Sequence, residues 1–133
     1  MKVKKSSEES QVVPTKGELD VLKVLWKHGA STVRFVHETL NEQKETVQYT
    51  STLKLMQVMA EKGMLLRDET NMKHLYTAAL EEEKTKRTLL SRFVDHTYEG
   101  SVSSLVNSLL GNGKTSVKDL EEIEKLLAQM KRK

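Results

Sequence analysis

The sequence predicts a mainly α-helical chain with one small β-hairpin, and three observations carry that prediction. Three apolar stripes at helical spacing lie before residue 64, each closed by a polar or glycine-containing break. Two short β-prone runs then flank the turn-prone Glu69-Thr70-Asn71, and after Leu80 the helical period returns and holds to the end. With 37% hydrophobic and 31% charged residues, the chain is too apolar for general disorder and too charged for a membrane protein.

Residues 1–13 are polar and mixed in charge, so they read as a flexible arm without an assigned function. After Pro14, Thr15 is placed to cap a helix and Glu18 to complete a capping box. Leu19, Leu22, Leu25 and Trp26 follow at helical spacing, widened by Val21 and Val24, and His28-Gly29 supplies a stop. A second helix starts at Ser31 or Thr32 and turns Val33, Val36 and Leu40 inward, with Arg34, His37, Glu38 and Asn41 on a wet face. From about Gln48 a third helix buries Leu53, Met56, Met59 and Ala60 until Lys62-Gly63 ends it. The strands are Leu65-Leu66 and Leu75-Tyr76-Thr77.

Three helices followed by a hairpin is the order of parts in a winged helix-turn-helix domain, whose third helix enters the major groove of DNA. Residues 14–80 are expected to form it. Tyr49, Thr50, Ser51 and Lys54 begin the third helix, where residues reach base edges; hydroxyls and an ammonium suit bases or phosphates. Thr50 or Ser51 alone can equally be a helix cap, and Tyr49 can stack on a sugar or pack on the second helix. On the wing, Arg67, Lys73 and His74 are candidates for phosphate contact, although Asp68 and Glu69 work against them.

Residues 81–133 read as a helical dimerisation domain. One helix carries Leu89, Leu90, Phe93 and Val94 and stops at Gly100; the next carries Val102, Leu105, Val106, Leu109 and Leu110 before Gly111-Asn112-Gly113. Ser116 caps a last helix with Val117, Leu120, Ile123, Leu126, Leu127 and Met130. A segment this short buries little surface alone, so its apolar stripes gain most by meeting a second copy across a two-fold axis. Leu90, Phe93, Val94, Leu105, Leu109, Leu120, Ile123 and Leu127 are the residues expected there.

Composition excludes several classes. Without cysteine there are no disulfides, thiolate metal sites or cysteine nucleophiles. No run approaches the roughly 20 apolar residues a membrane helix needs, and the polar start is unlike a signal peptide, so a cytoplasmic protein is expected. The net charge of +3 is shared almost evenly by the two halves, so any DNA surface is a local patch.

No enzyme, metal site or cofactor is expected. Gly113-Lys114-Thr115 hints at a phosphate loop, but Ser108 stands where the earlier glycine belongs. His28, His37, His74 and His96 lack the spacing of a helical metal site, and the adjacent acids Glu81-Glu82-Glu83 and Glu121-Glu122 do not converge. A protein-binding adaptor without sequence-specific DNA binding remains the alternative reading.

Taken together, Glu18–Trp26 as E-L-D-V-L-K-V-L-W, Thr46–Leu65 as turn, helix and E-K-G exit, Leu75-Tyr76 on the wing, and Tyr98–Leu105 as Y-x-G-S-V-x-S-L form a specific order. The chain from Pro14 to Lys133 thereby resembles the penicillinase-repressor family of winged-helix regulators. The resemblance implies a homodimeric repressor on a dyad-symmetric operator, of resistance or related genes, relieved through a membrane sensor-protease. It also implies that Thr50, Ser51 and Lys54 stand where the family's recognition helix meets DNA. The family's cleavable Asn-Phe pair is replaced here by Ser108-Leu109, so the resemblance does not carry over that particular cleavage, and a sensor of different specificity would have to act on the same stretch. Copper-linked release through clustered cysteines, used by one branch, is excluded.

Overall fold

A computed structural model describes residues 12–43, 47–70 and 72–132. Most of the predicted arm, the link at 44–46 and Asn71 of the predicted turn lie outside the described residues. The order of elements is α1 (Lys16–His28), α2 (Val33–Gln43), α3 (Tyr49–Glu61), β1 (Leu65–Asp68), β2 (Leu75–Ala78), α4 (Glu82–Thr97), α5 (Val102–Gly111) and α6 (Val117–Lys131). The chain forms two compact units, Met1–Leu89 and Leu90–Lys133, so α4 begins in one and ends in the other.

In the first unit the local signals are realised atom by atom. The Thr15 hydroxyl accepts from the Glu18 amide at 3.2 Å while the Glu18 carboxylate accepts from the Thr15 amide at 2.9 Å, closing the capping box. Glu18 is buried and also accepts from Lys62 Nζ at 3.0 Å, which ties the start of α1 to the end of α3. Burial raises its carboxyl pKa, but the Thr15 amide and the Lys62 ammonium outweigh that and hold it below the usual value. At the far end Gly29 adopts a φ of 79°, a left-handed conformation in which a side chain is strained.

Val21, Leu22, Val24 and Leu25 of α1 meet Val33 and Val36 of α2, Met56 and Met59 of α3, and Met64, Leu65 and Tyr76 of the hairpin in one core. Trp26 lies at its edge, and its indole N–H donates to the Leu80 carbonyl at 2.9 Å, which satisfies the polar handle of an otherwise apolar ring.

The start of α2 divides two roles between neighbours. Thr32 caps, its hydroxyl accepting from the Phe35 amide at 3.1 Å. Ser31 instead exchanges backbone hydrogen bonds with Tyr76 at 3.0 and 2.8 Å, adding a bridge to the antiparallel hairpin in which Arg67 faces Tyr76 and Asp68 faces Leu75. The α1–α2 connection and the wing root are thus one hydrogen-bonded piece.

The second unit is built differently. Ser101 and Ser116 cap α5 and α6, the latter with a full capping box to Asp119, yet neither helix has a buried residue. Val94 is buried, whereas Leu90 and Phe93 on the same helix are about half exposed, Phe93 lying edge-on to Tyr98 with 5.8 Å between ring centroids.

Candidate nucleic-acid interface

Helix α3 is held from one side and open on the other. Its N-cap is Gln48, whose carbonyl accepts from the Ser51 and Thr52 amides, so neither Thr50 nor Ser51 serves as the cap. Thr52 is buried, and its hydroxyl meets His37 Nδ1 at 3.0 Å. The Val47 amide donates to Asn41 Oδ1 at 3.1 Å, which turns Asn41 Nδ2 toward His37 Nε2 at 3.0 Å. His37 Nε2 is therefore an acceptor, leaving Nδ1–H to donate to Thr52. Sequence periodicity put His37 and Asn41 on a wet face; both are half-buried, because they tie α2 to the start of α3.

Tyr49 packs on α2 rather than projecting freely. Its ring lies edge-on to His37 at 5.5 Å, and the Arg34 guanidinium sits 4.8 Å from its centroid, a cation–π arrangement. With Thr52, Met56 and Met59 turned inward, the opposite stripe presents Thr50, Ser51, Lys54 and Gln57, all exposed. At 100° per residue, Thr50, Lys54 and Gln57 fall within roughly 60° of one another, with Ser51 beside them.

The wing flanks this stripe. Arg67 is engaged within the hairpin: its interaction with the cross-strand Tyr76 and its ion pair with Glu69 raise its pKa above the usual value. Asp68 accepts from the Thr70 amide at 2.9 Å and hydroxyl at 2.8 Å, which lowers its pKa and fixes the turn beyond β1. Lys73 and His74 are exposed. Arg34, Tyr49, Gln57, Arg67, Lys73 and His74 border one groove of about 630 Å³ between α2, α3 and the wing. The structure thus gathers Tyr49, Arg67 and Lys73 around the groove and sets Thr50, Ser51 and Lys54 on the adjacent stripe. Sequence periodicity gives Arg34 only a place on the wet face of the second helix and does not mark Gln57, whose spacing three residues after Lys54 is the available signal.

Among the expected dimerisation residues, Leu90, Phe93, Leu109, Leu120 and Leu127 are exposed, Leu105 and Ile123 are half-buried, and Val94 is buried. Ser108, like Leu109, is exposed on α5. Among the described residues no His, Asp and Glu side chains gather as a metal site, and no helix is long and apolar enough to cross a membrane.

Three packed helices, a hairpin bridged to the α1–α2 connection, and a third helix open along one polar stripe define a winged helix-turn-helix protein. The family model for the penicillinase repressor matches residues 14–129, and the chain belongs to that family. The penicillinase repressor of Bacillus licheniformis is 25% identical over 114 residues, spanning 86% of this chain and 88% of that protein. The family is one of DNA-binding transcriptional repressors, not of enzymes.

Proposed function

We propose that this chain represses transcription as a homodimer on a dyad-symmetric operator, in the cytoplasm, with residues 14–80 reading DNA and residues 81–133 holding two copies together. The observation that carries the reading is the divided character of α3. One side is locked into the core through Thr52, Met56 and Met59, while Thr50, Ser51 and Lys54 are exposed and make no hydrogen bond or ion pair through their side chains among the described residues. Bases are approached by α3, and phosphates by Lys73 and His74 on the wing, with Arg67 held back by Glu69. The exposed apolar residues of α5 and α6 support the two-fold partner, which matches palindromic half-sites.

The targets in this reading are resistance or stress genes, in keeping with the name of the Bacillus relative. Relief runs through a sensor-protease, for which exposed Ser108 and Leu109 on α5 offer an accessible stretch.

The test is selection of bound duplexes from a random-sequence DNA library by the full chain, followed by a salt series on the enriched duplex. Affinity is expected to fall linearly in log–log form with salt, and Lys54→Ala to reduce that slope by about one if it meets a phosphate, or to cost about 1–3 kcal/mol of base discrimination if it meets a base. Recovery of no enriched duplex would overturn the reading and return the protein-adaptor alternative. No change in either measure removes Lys54 from the interface.

A further inference from the structure

We propose that Gln57 is a base-reading residue and that the base it recognises is adenine. The inference rests on the DNA-binding reading above and names a specificity determinant within it. Gln57 continues the stripe of Thr50 and Lys54 on the outer face of α3, is exposed, and makes no side-chain hydrogen bond among the described residues. Its polar neighbours around the groove are differently placed. Arg67 is held by Tyr76 and Glu69, and Arg34 lies over the Tyr49 ring. Gln57 borders the groove facing the wing and also a second depression toward Glu61 and Leu66, so it stands at the crest of α3 between them.

Geometry gives the crest a length. Seven residues separate Thr50 from Gln57, a rise of about 10 Å along the axis, which is roughly three base steps when the helix follows the groove. Thr50 and Gln57 therefore address different base pairs of one half-site. Chemistry selects the base. A primary amide offers a donor and an acceptor side by side, and only adenine presents the matching acceptor and donor, N7 and N6–H, on the major-groove edge. Guanine offers two acceptors, which suit Arg or Lys instead.

The experiment is the same library selection with the full-length wild type, Gln57→Ala and Gln57→Glu, each checked by circular dichroism. The wild type is expected to enrich a dyad motif with an adenine preference in each half-site. Gln57→Ala should lose about tenfold of that preference at that one position, with the salt slope and the other positions unchanged. Gln57→Glu, which only accepts, should move the preference there toward cytosine, whose N4 donates. An identical motif from all three proteins, or loss at a position that was never adenine, overturns this inference and leaves DNA binding standing. Failure of the wild type to enrich any motif defeats the functional reading first, and this inference with it.

Discussion

The two units use similar helices to opposite ends. In the first, α1, α2 and α3 turn their apolar sides toward one another and the hairpin, and eleven buried apolar residues among those described form one core. In the second, α5 and α6 are capped by Ser101 and Ser116, yet Leu109, Leu120 and Leu127 stay between 39% and 53% exposed. Capping and periodicity thus make a helix and give it a face; they do not say what covers the face. The first unit supplies its own cover, and the apolar sides of α5 and α6 stay exposed.

Substitutions on the two sides should separate these roles. Leu22→Ala, in the closed core, is expected to lower unfolding stability by about 2–5 kcal/mol, read as a shift of the denaturation midpoint. A loss well under 1 kcal/mol would mean that the core is looser than the packing implies. Leu120→Asp with Leu127→Asp should instead leave the first unit folded, convert a dimer to a monomer in sedimentation, and weaken binding to a full operator by about 10²-fold through loss of linkage. If the double variant still sediments as a dimer, the apolar surface of α6 is not the interface.

The capping boxes allow a finer contrast. Thr15→Ala should cost about 1 kcal/mol of stability in the first unit, whereas Ser116→Ala should register in the dimerisation equilibrium, because α6 has no core of its own to lose. Equal effects of both on thermal unfolding of the first unit would erase the distinction. The smallest effect concerns pH. The Glu18 carboxyl titrates below its unfolded value of about 4.3, so its stabilisation is complete above that pH and is lost as pH falls through the lower folded value. Acid melting curves of Glu18→Gln should therefore be flatter over that interval than those of the wild type.

What could be read from the chain alone was what depends on near neighbours in sequence. Thr15 with Glu18, the inward residues of α1 and α3, and the hairpin around Glu69-Thr70 all follow from spacing and side-chain chemistry a few residues apart. What escaped depends on distant partners. Spacing leaves Ser31 and Thr32 both open as the start of α2; Thr32 is the cap, while Ser31 turns its hydroxyl to the Gly29 carbonyl and its backbone to the distant Tyr76. His37 and Asn41 looked wet because polar residues on a helix usually are, and only the approach of Thr52 and Val47 gives them a half-buried task. Tyr49 was ambiguous until Arg34 and His37 were seen around its ring.

The paired bonds between Ser31 and Tyr76 make the root of the wing continuous with the entrance to α2, which itself grips α3 through His37. Wing and α3 are thereby tied to a common frame. If the wing and α3 both meet DNA as proposed, the interval between their contacts is set by this shared frame, and a DNA site with another interval must bend to fit.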